Sequence, residues 1–264
     1  MPVIRIGTSG WSYRDWVGPF YPKGTRPSDY LRLYAEHFDI VEVDSTHYRT
    51  PLPSVVRGWA EKTPDDFRFA LKMVRTVTHE KVLLDCQAEC DEFLEAVGPL
   101  GPKLHSILLQ FGYFNRSVLM GLEPFLERLG SFLEKFRPPC PVAVEIRNKG
   151  WLQPEFFDLL TRYHIAFAAC DHAWMPPIDR VLAEHNVATG PFLFLRLIGD
   201  RKGMEQITSS WDRQVVDRSE RLKSLAAALG RLPAGMEVAA FVNNHYAGHA
   251  PATCRQLGRL FPGR

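Results

Sequence analysis

Seven charged residues lie at or near the ends of short apolar runs of the sequence, where the carboxyl end of a β-strand would present them. Because side chains alternate along a strand, IVEVDS (40–45) and VAVEIR (142–147) place their acidic residues on the face opposite the valines. Two carboxylates in unlike surroundings can have their pKa values driven apart, as a general acid and a general base require. Neighbouring lysine and arginine side chains would stabilise developing negative charge. The seven residues are Glu42, Asp44, Lys72, Glu145, Arg147, Asp171 and Arg196.

The pattern indicates acid–base catalysis in which Glu42 and Glu145 serve as acid and base, with Lys72 as the catalytic cation. The two arginines and Asp171 are assigned to substrate binding at the same place. An alternative stays open, because removing this many charges from water is unfavourable unless they pair with each other or meet a ligand. A self-contained ion network filling the interior of the fold would produce the same pattern.

The segment KMVRTVTHE (72–80) combines cations, hydroxyls and an imidazole directly after the third apolar run. Such a combination suits an anion such as phosphate, which accepts hydrogen bonds from these groups. Arg75 and His79 are therefore assigned to ligand binding. A solvated loop explains the same residues without a ligand.

The stretch SGWSYRDWVGPFY near the start of the chain holds five aromatic residues among glycines, a proline and polar residues. They follow neither the 3.6-residue period of a helix nor the alternation of a strand. Such a loop is either a platform on which a base or a sugar stacks or a lid packed on the core. We assign Trp11 and Tyr13 to the ligand and expect Trp16, Phe20 and Tyr21 to pack beneath them.

Four histidines fall near the same strand ends and could, with the glutamates, bind a divalent metal. No two of these four histidines have H-x-x-x-H or H-x-H spacing, so no metal site is predicted and a divalent metal is the weaker alternative. No cofactor is predicted, because the chain contains no P-loop, no G-x-S-x-G elbow and no H-E-x-x-H motif. The four histidines are His47, His79, His172 and His245.

Eight short apolar runs of strand length alternate with amphipathic helical patterns. This alternation predicts an α/β fold, a (β/α)8 TIM-type barrel formed by residues 1–264 as a single domain. A doubly wound open sheet is less supported, because no G-x-G-x-x-G fingerprint follows the first run. In a barrel the carboxyl ends of the strands meet at one rim, where barrel enzymes place their chemistry. The runs are VIRIG (3–7), IVEVDS (40–45), FRFALK (67–72), SILLQF (106–111), VAVEIR (142–147), IAFAAC (165–170), FLFLRL (192–197) and VAAFVN (238–243).

Strand alternation also directs Gln110, and either Asn243 or Asn244, toward this rim. Asp171 is expected just past the sixth strand, and residues 171–190 are expected to hold one short helix. The other predicted helices are 27–38, 53–62, 89–97, 122–136, 154–164, 212–229 and 250–261.

Composition narrows the class of protein. Hydrophobic residues make up 45% of the chain and charged residues 23%, as in an ordinary globular protein. No secretory signal pattern is visible, and no apolar run approaches the roughly 18 residues that cross a bilayer. We therefore expect a cytoplasmic protein without a membrane partner, with its five cysteines reduced. A net charge of +2 neither requires nor excludes a nucleic-acid partner, and the oligomeric state is not predicted.

Several segments together are similar to one protein family. GTSGWSYRDWVGPFYP, FDIVEVDSTHYRTP, FRFALKMVRTVTHE, LLQF, VEIRNKGW and FVNNHYAGHAP occur in this order over nearly the whole chain. They resemble the family of domain of unknown function 72, the YecE-like proteins. The resemblance implies a TIM-type barrel and no established activity. Carried over position by position, the family pattern covers Gly7, Thr8, Ser9, Gly10, Trp11, Glu42, Ser45, Thr46, Tyr48, Lys72, Thr78, His79, Gln110, Glu145, Arg147, Trp151, Asp171, Arg196, Asn243 and Asn244.

The resemblance thus adds Ser9, Tyr48 and Trp151 to the candidate substrate-binding residues. The chain departs from the family pattern at Ile198 and Asn148, where the family commonly has histidine, which weakens a metal site further. His47 stands where the family commonly has phenylalanine, so it is not implied as a ligand.

Three functions are compatible with these observations. The first is an enzyme with hydrolase- or lyase-like acid–base chemistry on a phosphate-bearing or sugar-like substrate. The second is a nucleic-acid binding or repair protein that resembles metal-dependent barrel endonucleases in outline, which is a fold analogy only. The third is a non-catalytic module that binds a small anionic or phosphorylated ligand. The sequence favours the enzyme and does not identify its substrate.

Overall fold

A computed structural model describes residues 2–261 of the chain, in which eight parallel strands form a nearly closed barrel. Around the sheet the strands follow the order β1-β8-β7-β6-β5-β4-β3-β2. The single-domain (β/α)8 fold expected from the sequence is confirmed. The strands are β1 Val3–Thr8, β2 Ile40–Val43, β3 Arg68–Lys72, β4 Leu104–Gln110, β5 Val142–Glu145, β6 Ala166–His172, β7 Phe192–Gly199 and β8 Glu237–Val242.

The helices connect the strands on the outside of the barrel, where their apolar faces cover the sheet. They are α1 Tyr30–Ala35, α2 Pro53–Glu61, α3 Gln87–Val97, α4 Leu122–Lys135, α5 Pro154–Arg162, α6 Ile178–Glu184, α7 Arg201–Ile207, α8 Ser219–Leu229, α9 Asn244–Ala247 and α10 Ala250–Gly258.

Two sequence expectations about these elements are wrong. The helix predicted over 212–229 begins only at Ser219, because the backbone N–H groups of Val215 and Val216 donate to the carbonyl of Ala247 instead of to a helical turn. Strand β6 continues to His172, so Asp171 lies within the strand and not past its end. In addition, α7 and α9 have no counterpart among the predicted helices.

Inside the barrel the side chains form layers. The lower layer is apolar and combines small alanines with large aromatic and aliphatic residues, as the tapering interior of a small barrel requires. Two residues further along the strands, the next inward-facing side chains are polar, and they define the rim. The apolar layer consists of Ile40, Ala70, Leu108, Ala143, Ala166, Ala168, Phe192, Phe194, Ala239 and Phe241.

The barrel closes at a seam between β1 and β2 that ladder hydrogen bonds only partly span. The N–H of Gly10 donates to the carbonyl of Glu42 at 2.8 Å. Below it, the buried hydroxyl of Tyr34 accepts from the N–H of Thr8 at 2.8 Å and donates to the carbonyl of Ile40 at 3.0 Å. The hydroxyl thus satisfies two backbone groups that would otherwise be buried without partners.

Within the described residues no helix is long and apolar enough to cross a membrane. The five cysteines, all of them within these residues, form no disulfide. The Sγ of Cys254 instead donates to the carbonyl of Gly7 at 3.2 Å, near the carboxyl end of the first strand.

Candidate functional site

Arg196, near the carboxyl end of β7, lies at the centre of an ion network on the barrel axis. Its Nη1 donates to Oε2 of Glu145 at 2.8 Å, and its Nη2 donates to Oδ1 of Asp44 at 3.0 Å. Its Nε lies 2.7 Å from Oε1 of Glu42. Both glutamates are fully buried, and Arg196 is only 3% exposed. One guanidinium therefore holds three carboxylates that come from two different strand ends.

The two glutamates have different partners and, as a result, different pKa values. Burial alone would raise the pKa of Glu145, but Arg147 and Arg196 both donate to its carboxylate and hold the pKa at about 2. Burial raises the pKa of Glu42 to about 7; the charge of Arg196 opposes this shift and the charge of Asp44 adds to it. Near neutral pH, Glu145 is ionised while Glu42 titrates.

Lys72, at the end of β3, lies beside this network. Its side chain is 9% exposed, and within residues 2–261 no carboxylate or carbonyl pairs with its ammonium group. Burial and then the charge of Arg196 lower its pKa, although Asp44 and the glutamates oppose the shift. Lys72 is therefore an amine that gives up its proton more readily than an exposed lysine does.

Two neutral imidazoles stand next to Lys72. The rings of His47 and His79 lie 4.9 Å apart, and burial followed by the charge of Lys72 lowers the pKa of each to about 4. The Nδ1 of His79 is 2.8 Å from the hydroxyl of Thr78. At neutral pH both rings can accept as well as donate hydrogen bonds.

A cavity of about 700 Å³ opens at the rim beside Arg147. It lies among the segments that follow β4, β5 and β6. Its cationic lining residues are Arg147, Lys149 and Arg180, and its aromatic ones are Tyr113 and Trp174. Ala173, Met175 and Pro176 complete the lining.

Other predicted site residues make structural contacts. Asp171 accepts two hydrogen bonds from Arg221, at 2.6 and 2.7 Å. The exposed Arg75 pairs with Glu80 at 3.0 Å. Asn243 caps α9 by accepting from the N–H of its second residue at 3.0 Å.

Asn244 and Trp151 lie in packed surroundings. The side-chain oxygen of Asn244 accepts from Nε1 of Trp16 at 3.3 Å and from the N–H of Ala250 at 2.9 Å. Trp151 stacks on Phe125 with ring centroids 5.1 Å apart. Each residue holds a loop of the rim in place.

The aromatic loop packs mainly as a lid. Trp16 and Tyr21 are buried, as expected, and Tyr21 donates to the carbonyl of Trp11 at 2.7 Å. Trp11 itself lies edge-on to Trp59, with centroids 5.7 Å apart. Tyr13 donates to the carbonyl of Ser9 at 2.8 Å and so fixes the turn that leaves β1.

Three further candidates lie at different depths in the rim. The hydroxyl of Ser9 donates to Oε2 of Glu42 at 2.6 Å, which joins the first strand to the ion network. Gln110 is 7% exposed at the end of β4. Tyr48 is 71% exposed and stands at the outer edge of the rim.

Sequence reasoning missed most of the cavity. Tyr113, Lys149, Trp174 and Arg180 lie outside the strands, so strand alternation could not select them. One signal was available: Trp174 precedes Met and two prolines in a segment without clear periodicity.

Within the described residues no three His, Cys, Asp or Glu side chains are grouped as a metal site would require. The carboxylates of the ion network are instead directed at arginines. The arrangement can neutralise an anion and move a proton.

These features define the class: a (β/α)8 barrel protein with a buried ion network and a cationic cavity at the carboxyl ends of its strands. Residues 5–263 match the family model described as "Protein of unknown function DUF72". The chain belongs to this family, which confirms the resemblance found in the sequence.

Two curated relatives share part of the sequence. UPF0759 protein YecE of Escherichia coli strain K12 is 35% identical over 157 residues, covering 59% of this chain and 50% of the relative. UPF0759 protein YunF of Bacillus subtilis strain 168 is 28% identical over 163 residues, covering 59% of this chain and 55% of that protein. The chain therefore spans about half the length of the curated relatives it matches.

The fold is also seen in a crystal structure. A DUF72 family protein from Thermotoga maritima superposes with a TM-score of 0.75 at 28% identity, and the match covers 98% of both chains. This likeness supports the barrel over its whole length.

Glu42 should make stability fall as pH rises. Its pKa is about 7 in the folded protein, and an unfolded glutamate has a pKa of about 4.3. The stabilisation is thus complete below the unfolded value and is lost as pH rises through the folded value. Glu42→Gln removes this dependence, so the variant should gain up to about 3 kcal/mol of unfolding free energy relative to wild type between pH 4 and pH 8.

Urea unfolding at several pH values measures the difference between the two proteins. His47 and His79 titrate in both, so their contribution cancels. Glu36→Gln, which removes an exposed carboxylate paired with Arg32, is the matched control and should show no such trend. A constant difference between Glu42→Gln and wild type would mean that folding does not raise the pKa of Glu42.

Proposed function

We propose that the barrel rim is the active site of an enzyme with acid–base chemistry, hydrolase- or lyase-like, acting on a small phosphate-bearing or sugar-like substrate. One observation supports this most strongly: two buried carboxylates share Arg196, yet burial and unequal pairing drive their pKa values in opposite directions. Such a split keeps Glu42 available as a proton donor while Glu145 remains an anion. The amine of Lys72, with its lowered pKa, supplies the base.

Exposure suggests the order in which a substrate meets these groups. The side chains of Asp44 and Arg147 are 34% and 15% exposed, whereas Glu42 and Glu145 are fully covered. A substrate anion would pair with Arg147 and displace Asp44 from Arg196, since Asp44 is the most exposed of the three carboxylates. This exchange opens a path to Glu42.

In the proposed chemistry Lys72 removes a proton, from water in hydrolysis or from carbon in elimination. Glu42, protonated near neutral pH, then gives its proton to the leaving group. Glu145 stays ionised and orients Arg147 and Arg196, which stabilise the negative charge that develops. In hydrolysis the water oxygen forms a bond to the substrate as the leaving-group bond breaks, and in elimination a double bond forms as the C–H and leaving-group bonds break. Lys72 gains one proton and Glu42 loses one, and exchange with solvent resets both groups, so no redox partner is needed.

Turnover assays with phosphomonoesters, sugar phosphates and unphosphorylated glycosides test the proposal. Lys72→Met should lower turnover by about 10²- to 10⁴-fold, as loss of a general base does. The matched control is Lys62→Met, since Lys62 is exposed and donates to the backbone carbonyl of Ser28. Turnover lost with a chelator and restored by zinc or manganese would replace this mechanism with a metal-dependent one.

The non-catalytic alternative predicts a different outcome of the same experiments. Calorimetry would then find phosphate or sugar phosphate bound at the rim, and no substrate would be turned over. In that case Arg147→Gln should abolish binding, while Lys72→Met should leave it nearly unchanged.

A further inference from the structure

The cavity beside Arg147 is lined by both cationic and aromatic side chains, so it suits a ligand that has a flat ring as well as an anionic group. Its cationic side chains are Arg147, Lys149 and Arg180, and none of the described residues that line it is acidic. Two aromatic residues complete it, and they are unusually accessible for their size: Trp174 is 67% exposed and Tyr113 is 65% exposed. Aromatic rings beside cations offer a ligand both a stacking surface and charge neutralisation.

The cations of the cavity are available to a ligand. Among the described residues Arg180 pairs with Glu184 alone, one helical turn away, and both side chains are largely exposed, so this pair contributes little and exchanges easily. Within residues 2–261 Lys149 has no carboxylate partner. Arg147 is held by Glu145 through its Nε, which leaves its terminal nitrogens for an anion.

His172 orients Trp174, one of the two aromatic residues of the cavity. The N–H of Trp174 lies 3.3 Å from Nδ1 of His172, and the two rings meet edge-on at 5.2 Å. Met175 and Pro176 form apolar lining next to it. The flat ring of a ligand would therefore displace water from the face of Trp174, a side chain that is already oriented before the ligand binds.

We propose that this cavity binds a mononucleotide, with the base against Trp174 and Tyr113 and the phosphate on Arg147, Lys149 and Arg180. The proposal rests on the proposed function, because Arg147 belongs to both the cavity and the ion network and would place the phosphate end beside the proton-transfer groups. A volume of about 700 Å³ lies within the roughly 300–1,000 Å³ usual for small-molecule sites. Three cations that line one cavity suit one phosphate group better than the extended track that a nucleic-acid strand requires.

Calorimetry compares AMP and UMP with ribose 5-phosphate, which keeps the phosphate and lacks the base. The nucleotides should bind at least about tenfold more tightly, as base stacking on an aromatic ring predicts. Trp174→Ala should remove this preference and retain the ribose 5-phosphate affinity. Because Trp174 is largely exposed, the variant should fold normally, and circular dichroism checks that it does.

Arg180→Gln should weaken both phosphorylated ligands by about five- to tenfold. Its matched control is Arg32→Gln, which removes an arginine from an equivalent exposed pair with Glu36 and should change nothing. Nucleotide affinity unaffected by Trp174→Ala would overturn the proposal. So would a single-stranded oligonucleotide binding more than tenfold better than AMP with a steep salt dependence, since that would make the ligand a strand.

The Lys72→Met variant separates this inference from the proposed function. It should lose turnover and still bind AMP with wild-type affinity. Nucleotide binding that is lost in Trp174→Ala, without turnover of any substrate, would support the nucleotide site and contradict the proposed enzymatic function. Turnover that is lost in Lys72→Met but unchanged in Trp174→Ala would support the enzymatic function and contradict the nucleotide site.

Discussion

Arg196→Met should lower the free energy of unfolding by about 3–5 kcal/mol at neutral pH, as removal of one member of a buried ion network does. The substitution leaves Glu42, Glu145 and Asp44 clustered without their shared guanidinium. Protonation of the carboxylates relieves their repulsion, so the loss should shrink as pH falls from 8 to 5. Urea unfolding at the two pH values measures both effects.

Arg201→Met is the matched control for this substitution. Arg201 pairs with Glu205 at 2.8 Å on an exposed helix face, where such a pair contributes less than about 0.5 kcal/mol. Equal effects of the two substitutions would show that the ion network adds nothing to stability. A variant that is more stable than wild type at both pH values would also count against a network that Arg196 holds together.

Gly7→Ala should destabilise the barrel by about 3 kcal/mol, at the upper end of what overpacking causes. A Cβ at this position would lie 2.0 Å from the carbonyl oxygen of Ile40 and 3.0 Å from the hydroxyl of Tyr34. The first contact is with backbone, so no side chain can rotate away. Strands β1 and β2 would have to separate, which would also break the hydrogen bonds that Tyr34 makes across the seam.

Gly58→Ala provides the comparison at a glycine with room around it. Gly58 lies inside α2, and a Cβ there would meet no atom within 4 Å. Because alanine favours a helix over glycine, this variant should gain up to about 1 kcal/mol. Thermal unfolding of both variants measures the contrast, and a Gly7→Ala protein as stable as wild type would mean that the seam can widen without loss.

Local sequence patterns determined the strands and the polar rim. Glu42 and Glu145 alternate with valines that face the outer helices, and this period of two fixes the face of a strand before any partner strand is known. Parallel strands in a closed barrel then bring their carboxyl ends together, so the convergence of Glu42, Lys72, Glu145, Arg147 and Arg196 follows from the fold class.

Tertiary structure decided which charges pair and which do not. Arg196 could have met any carboxylate on the rim; the stagger of the strands and the turn after β2 bring it to Glu42, Asp44 and Glu145. The unequal pKa values of the two glutamates depend on these contacts, and so does the position of Lys72, whose ammonium group no carboxylate among residues 2–261 pairs with. Alternation along one strand carries no information about neighbours that lie many residues away.

The cavity is the clearest case of what tertiary structure alone decided. Tyr113, Lys149, Trp174 and Arg180 come from three segments that lack the periodicity of strands, and they meet only because β4, β5 and β6 are adjacent in the barrel. The sequence by itself determined that a polar rim exists and which strand residues face it. The loops determined what that rim can hold, because their conformations depend on contacts across the barrel and not on a repeating local pattern.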